Sequence, residues 1–440
     1  MAHLFLLGAG HVGLVSAVGF VRLGHRVTVA DLDAGRIDRL TRGEAPVFEP
    51  GLTEAIVAGI AAGTLAFTAE LDPPADAALS LVCVSTPTGP EGPLMTGNVE
   101  AAVLRLLGVT GPEHTVVVRS TLPLDGPGRL RAVIGSRPGR ASITTNPEFL
   151  REGTAIGDFD RPNRVVVGWL EPRDQAAAEA VAALYTPLQA PTVVADADSV
   201  ALIKLLSNVF LGMKIAYANE VARIAEATGA DVRTVIEGVG LDERIGTAFM
   251  QPGPGFGGSC LPEQALAIAL ETAAINVPTP LVSSIHVSNT AHKRAIVDRL
   301  ASLLGGSVAG YRVALLGLAF KANTDDVRES PALTLAALLR DAGATVVGHD
   351  PRAAAKAQAV DPALLVAATP LEAVTDADAV LVATEWADYR TLDWAAMRGA
   401  MRGTLVYDTR SVVDVAAAEA AGLRVERLGR RSTAEVPAPT

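Results

Sequence analysis

Cys260 closes the run Pro252-Gly253-Pro254-Gly255-Phe256-Gly257-Gly258-Ser259, and a second glycine run, Gly8-Ala9-Gly10-His11-Val12-Gly13, stands near the start of the chain. Glycines around a thiol leave room for a substrate carbon and a hydride acceptor to approach the sulfur together. A thiolate so placed can capture an aldehyde as a thiohemiacetal, which can then be oxidised again. The pair of motifs therefore suggests alcohol-to-acid oxidation in two steps. The other cysteine, Cys83, lies in Leu81-Val82-Cys83-Val84 and reads as a small buried hydrophobe, which most free cysteines are.

The first glycine run follows an apolar strand and opens a helix whose apolar face is Leu14, Ala17, Val18 and Val21. Gly8 permits the tight turn, Gly10 admits a pyrophosphate, and Gly13 lets helix and strand pack closely. Asp31 ends the next strand, 18 residues after Gly13. A carboxylate there hydrogen-bonds the adenosine ribose diol and repels a 2′-phosphate, so NAD is expected over NADP. Arg36, one helical turn on, weighs slightly against that preference unless it flanks the adenine. The second half holds Val313-Ala314-Leu315-Leu316-Gly317, a degenerate copy of the same strand and turn without the later glycines. It suits a smaller nucleotide rather than a second dinucleotide.

Only five lysines occur, and one of them, Lys204, interrupts the apolar run Val200–Leu206. Lys204 and Asn208 are four apart on one helical face, so both can address one small polar ligand and stabilise a developing alkoxide.

These residues need elements to hold them. Apolar runs at His3–Leu7, Arg26–Ala30, Leu79–Ser85, Thr115–Arg119, Ile143–Thr145 and Arg164–Gly168 predict buried parallel strands. A second series follows at Arg312–Gly317, Thr345–His349, Ala379–Ala383 and Thr404–Tyr407. Residues 198–227 predict one long amphipathic helix, begun by Asp198 or Ser199 and stopped by Gly229. The fold class is α/β: two Rossmann-like, doubly wound parallel-sheet domains joined by a long central helix. The expected organisation is a coenzyme domain over 1–197, a central helical region over 198–300, a C-terminal domain over 301–430 and a disordered tail over 431–440. Residues 86–97 are too rich in Pro and Gly for regular structure.

Composition narrows the partners. The 440 residues are 49% hydrophobic, enough for a large core, and the net charge of −11 argues against nucleic acid. The apolar start, His3–Phe20, has no basic segment ahead of it, and Val200–Val221 carries Lys204, Asn208, Lys214 and Glu220, too polar to face lipid. Two cysteines read as unpaired suggest a reducing compartment, so the cytoplasm is expected, with no membrane and no metal.

Taken in order, the motifs resemble the UDP-glucose/GDP-mannose dehydrogenase family over residues 1 to about 430. The matching stretches are Gly8–Gly13, Glu49-Pro50-Gly51-Leu52, Ser85-Thr86-Pro87-Thr88, Ser120-Thr121 and Asn146–Gly153. They continue with Lys204 and Asn208, Asn219-Glu220, Arg244-Ile245-Gly246, Gly255–Cys260, Gly317–Lys321, Thr324–Pro331 and Asp408-Thr409-Arg410. The resemblance implies oxidation of a nucleotide-sugar C6 hydroxyl to a carboxylate with two NAD, UDP-glucose being the expected substrate. On that pattern Gly8, Gly10, His11, Val12, Gly13, Asp31, Arg36, Thr86, Thr121, Glu152, Glu263 and Arg328 hold NAD. Glu148, Phe149, Leu150, Arg151 and Glu152 wrap the sugar. Phe249, Met250, Gln251, Pro252, Gly253 and Gly257 line the nucleotide with backbone groups, and Arg244, Lys321 and Arg410 meet the diphosphate. Arg244 is expected to reach into the neighbouring subunit of a homodimer built on the central helix. Lys204, Asn208 and a water assist deprotonation, Thr121 stands beside the reaction, Cys260 is the nucleophile, and Glu148 is a candidate base for the final hydrolysis.

After its cysteine the family continues with Pro-Lys-Asp, whereas this chain has Pro262-Glu263-Gln264. A glutamine can orient water but cannot take its proton. Glu263 cannot replace the lost aspartate if both lie in one helical turn, where neighbours diverge by about 100°. The alternatives kept open are another nucleotide sugar (GDP-mannose or a UDP-N-acetylhexosamine), release of the aldehyde, a two-electron hydroxyacid dehydrogenase that needs no thiol, and a non-catalytic nucleotide-binding dimer partner.

Overall fold

The computed structural model describes residues 1–431 except 88, 90, 91, 93 and 138. The expected disordered tail beyond Arg431, Thr88 of the Thr86–Thr88 stretch, and parts of the Pro/Gly loop thus lie outside the described residues. The chain divides into two compact units, residues 1–207 with 270–277, and residues 208–269 with those from 278 onward.

The first unit is built on strands β1 (His3–Leu7), β2 (Arg26–Ala30), β3 (Leu65–Thr68), β4 (Ala77–Val82), β5 (Thr115–Val118), β6 (Ser142–Thr145), β7 (Val165–Trp169) and β8 (Thr192–Asp196). They form one sheet in the order β3-β2-β1-β4-β5-β6-β7-β8. Strand β1 shows why its sequence is an unbroken apolar run. Leu4 and Leu6 enter the core on one face while Phe5 and Leu7 enter the core on the other, so every side chain is buried. The strand predicted at Arg164–Gly168 does form, but it pairs antiparallel with β6, Thr145 opposite Gly168. Its connection contains only the six-residue helix Ala155–Asp160, which packs on the coenzyme-side helix α1 (His11–Arg22) and does not cross back over the sheet.

The second unit carries β9 (Arg312–Leu316), β10 (Thr345–His349), β11 (Leu365–Val366), β12 (Ala379–Val382), β13 (Leu405–Asp408) and β14 (Arg424–Arg427). They are all parallel, in the order β11-β10-β9-β12-β13-β14. Both sheets reverse direction of winding beside their first strand, the doubly wound arrangement in which ligands bind at the strands' carboxyl ends.

Helix α2 (Ala197–Thr228) runs from the first unit into the second. It starts slightly earlier than the capping residues expected from sequence. Asp196 accepts from the Ser199 N–H and hydroxyl, both at 2.8 Å, while Asp198 pairs with Arg131. Gly229 ends it at φ 79°. By length and hydropathy alone α2 could cross a bilayer. In the fold, Lys204 and Asn219 are buried, and Leu202, Leu206, Phe210, Tyr217 and Ile224 make an exposed apolar stripe. Two more helices matter below: α3 (Leu261–Ala274) and α4 (Pro280–Leu303).

Candidate active site

The coenzyme turn leaves no room for side chains. A Cβ at Gly8, whose φ is 107°, would lie 2.5 Å from the Cys83 carbonyl oxygen, and one at Gly13 would lie 1.9 Å from the Gly8 oxygen. At Gly10 the missing Cβ faces open space, and α1 begins there without a side-chain cap, so its first N–H groups face that opening. A dinucleotide pyrophosphate fits that cradle. Asp31 is held by Ala9 N–H at 2.7 Å and Asp33 N–H at 2.9 Å, and Arg36 donates to it at 3.1 Å. Arg36 is thus directed at the carboxylate, which keeps the local balance away from a 2′-phosphate. Thr86 and Thr121 follow β4 and β5, at the carboxyl ends beside the switch point. The intervening backbone is locked by the Ser120 hydroxyl, which donates to Val84 O at 2.6 Å.

Cys83 sits beneath this turn, buried, and burial pushes its thiol up to about 12 despite the opposing charge of Arg119. Cys260 is exposed. Iodoacetamide at neutral pH is therefore expected to label the native protein once, at Cys260, with Cys83 reacting only after unfolding; peptide mapping checks this, and rapid native labelling of Cys83 would contradict it.

The loop after β6 is set by a residue that sequence reading did not single out. Arg119 is buried and donates to Ser16 Oγ at 2.7 Å, Asn146 Oδ1 at 2.7 Å and Tyr185 Oη at 3.2 Å. Asn146 in turn donates to Val166 O at 2.8 Å, fixing the chain that leads into Glu148. Lys204 then donates to the Glu148 backbone oxygen at 2.6 Å and to its carboxylate at 3.0 Å, and Leu150 N–H donates to that carboxylate at 2.6 Å. Burial opposes the charge on Glu148, but Lys204, the Leu150 amide and Arg119 together hold its pKa below the ordinary value. Phe149 lies against two cations, with Arg164 3.9 Å and Lys204 5.3 Å from its ring centre. Arg151, expected at the sugar, points its guanidinium at Asp158. Leu150 and Glu152 are half-buried beside it.

In the second unit, Cys260 stands immediately before α3, and its carbonyl accepts the first helical bond, from Gln264 at 3.1 Å. The positive end of a helix favours an anionic sulfur there. The glycine loop ahead of it is pinned by buried side chains of α2 and α4. Asn219 accepts from Gly253 N–H at 2.9 Å, Asn289 both accepts from Phe256 N–H and donates to Phe256 O at 3.0 Å, and His292 donates to Gly253 O at 2.7 Å. Burial brings His292 down to about 4, so it is neutral, with Nδ1 left to accept from Arg223 at 2.9 Å. A Cβ at Gly257 would meet Glu329 O at 2.4 Å. One at Gly253 would meet the Arg410 guanidinium at 2.9 Å, so Arg410 lies against the loop, its Nε also donating to Ala383 O at 3.0 Å. Lys321 lies 5.4 Å from the centre of the Phe320 ring. Arg328 forks onto Asp326, and its carbonyl accepts from Gly258 N–H at 3.0 Å.

Of the other expected nucleotide-lining residues, Phe249 takes φ 61°, and Met250 is packed in the core, so only its backbone is available. Gln251 and Pro252 carry the chain from there into the pinned loop. Arg244 is not gathered with these groups. It is exposed, pairs with Asp242 at 2.6 Å, and lines a cavity of about 440 Å³ beside Lys214, Tyr217 and Leu281.

Glu263 and Gln264 both fall in the first turn of α3. Gln264 is buried and accepts from Asn208 Nδ2 at 2.9 Å. Two neutral amides therefore face each other, and neither takes a proton from water near neutral pH.

Two nucleotide-type folds, one with a dinucleotide turn and one with a pinned thiol loop, define an NAD-dependent dehydrogenase. Family models agree: the UDP-glucose/GDP-mannose dehydrogenase NAD binding domain matches residues 2–189, the central domain 198–291 and the UDP binding domain 314–415. The chain belongs to the UDP-glucose/GDP-mannose dehydrogenase family. A UDP-glucose 6-dehydrogenase of Rhizobium meliloti (strain 1021) is 38% identical, with 97% of this chain and 99% of that one covered. The UDP-glucose 6-dehydrogenase YwqF of Bacillus subtilis (strain 168) is 35% identical, with 98% of each covered. A solved UDP-glucose dehydrogenase from Pyrobaculum islandicum superposes with a TM-score of 0.87 at 36% identity, covering 98% of both chains.

Proposed function

We propose that the chain oxidises the C6 hydroxyl of UDP-glucose to the carboxylate through a covalent intermediate on Cys260. The observation that carries this reading is the exposed Cys260 at the start of α3, on a loop pinned by Asn219, Asn289 and His292, in a chain similar throughout its length to UDP-glucose 6-dehydrogenases.

The coenzyme, when bound, supplies the hydride acceptor for both oxidations; Gly8, Gly10, His11, Val12, Gly13, Asp31, Arg36, Thr86, Thr121, Glu152, Glu263 and Arg328 are the residues that would hold it. In the first oxidation the C6 carbon gives up a hydride and its hydroxyl a proton, leaving an aldehyde. The Cys260 thiolate adds to that carbon as a thiohemiacetal. Loss of a second hydride and the hydroxyl proton leaves a thioester, and water releases the acid and the thiol. Lys204 offers a positive charge to each oxyanion, and Asn208 orients the oxygen. Arg410 and Lys321 meet the diphosphate. Glu148, already ionised and paired, is a weak proton acceptor, so its main work is to hold Lys204 in place.

The exposed stripe on α2 fits a second copy of this chain: its apolar residues recur every four or seven positions along one helix face, and the exposed Arg244, paired with Asp242, lines the same cavity as Phe210 and Tyr217. Arg244 would then complete the neighbouring subunit's site. A cytoplasmic location accords with two free cysteines.

The test is the NADH yield when purified protein consumes UDP-glucose to completion. Two NADH per sugar are expected. One NADH with a trappable aldehyde would favour the second reading, that the neutral Asn208–Gln264 pair stalls the later steps. No NADH would overturn UDP-glucose as substrate and direct the same assay to GDP-mannose and UDP-N-acetylhexosamines.

A further inference from the structure

We propose that Glu49 is a positioning residue that fixes His11 on the coenzyme turn, so that His11 presents a proton to the dinucleotide pyrophosphate. The Glu49 side chain has no solvent exposure, and three groups satisfy it. His11 Nε2 meets Oε2 at 2.8 Å, Gly153 N–H donates to the same oxygen at 2.7 Å, and Ala155 N–H donates to Oε1 at 2.8 Å. One carboxylate therefore joins the first residue of α1 to the end of the loop that carries Glu148 and Glu152. The rest of the Glu49-Pro50-Gly51-Leu52 stretch serves to place it. Gly51 takes φ 81° and starts the helix Leu52–Ala61, and Leu52 is wholly buried.

His11 directly follows Gly10, the position whose open side suits a pyrophosphate. The charges that act on its ring are acidic: Glu49 by direct contact, and Glu152 and Glu148 through space. Burial pulls the imidazole pKa down, but the Glu49 hydrogen bond and these three charges overcome it and raise it above the ordinary value. A raised value means that the protonated ring is fully present below the ordinary histidine range and is lost as pH rises through the folded value. Coenzyme affinity should follow the same course, since the pyrophosphate gains from the imidazolium and not from the neutral ring.

The measurement is NADH binding by fluorescence titration between pH 6 and 9, without any sugar substrate. Wild-type Kd should rise about threefold to tenfold across that range, the scale of one charge at a half-buried anion site. His11→Gln should bind more weakly at low pH and show a flat profile. Glu49→Gln keeps shape and one acceptor oxygen but no charge, so its profile should shift toward lower pH. A wild-type Kd that does not change with pH would overturn the proposal. So would a Glu49→Gln variant that melts lower but keeps the wild-type profile, because Glu49 would then be structural only. Should NADH bind as described while UDP-glucose is not oxidised, the substrate reading fails and this one stands.

Discussion

Cys260→Ser should leave NADH binding unchanged while the NADH yield falls from two per UDP-glucose to at most one, and the steady-state rate drops roughly 10³-fold or more, the scale on which a missing covalent nucleophile is felt. The reason is that serine keeps the size but not the acidity. At the start of α3 the helix's positive end supports an anionic sulfur, whereas a hydroxyl there remains protonated and cannot trap the aldehyde. The substitution is also structurally mild, because Cys260 is exposed and the loop before it is held by Asn219, Asn289 and His292, which bind its backbone at Gly253 and Phe256. A variant that still yielded two NADH at near wild-type rate would remove sulfur from the mechanism. Aldehyde trapping with a hydrazine separates the remaining outcomes: free aldehyde with one NADH places the block after the first oxidation, and no NADH places it before.

Much of this site was legible in the sequence because each feature broke a local pattern. Lys204 is a lysine in an apolar helical run, Cys260 follows a glycine loop, and Asp31 ends a strand after the glycine turn. The strands of both sheets announced themselves as unbroken apolar runs, since residues such as Leu4 to Leu7 are buried on both faces. The short edge strands β3, β8, β11 and β14 did not, because half-exposed edges lack that run. Nor did the antiparallel turn of β7, which depends on where the short helix Ala155–Asp160 packs. The larger omissions were residues defined by distant partners. Arg119 reaches Ser16, Asn146 and Tyr185, and Glu49 reaches His11, Gly153 and Ala155. The Glu49 stretch stands out as a motif, but no spacing along the chain tells that its carboxylate meets amides more than a hundred residues away. The partnership of Gln264 with Asn208 is of the same kind: the departure at 264 was visible, its neutral partner was not.

Lys204→Met carries the second large expectation, on activity and stability at once. Removing the ammonium leaves the Glu148 carboxylate buried beside the Leu150 amide without its nearest cation, a loss of about 3–5 kcal/mol for breaking one side of a buried pair. On the proposed mechanism it also removes the positive charge offered to each oxyanion, which should lower kcat on the order of 10²–10³-fold. The pH dependence separates these two effects. In the wild type, Glu148 is held below its ordinary value, so its contribution is present above the ordinary carboxyl range and is lost as pH falls through the lower folded value. Without Lys204, burial becomes the dominant influence on Glu148 and raises its pKa, because a buried carboxyl is then better neutral. The sign reverses: the variant should lose stability as pH rises above the ordinary carboxyl range, where the wild type has gained it. Urea denaturation of both proteins from pH 4 to 8 reads this directly. Parallel stability curves would mean that Lys204 does not set the charge of Glu148. A Lys204→Met, Glu148→Gln double variant should recover most of the stability and none of the rate, since it restores neutrality to the buried pair but returns no cation to the oxygen undergoing reaction.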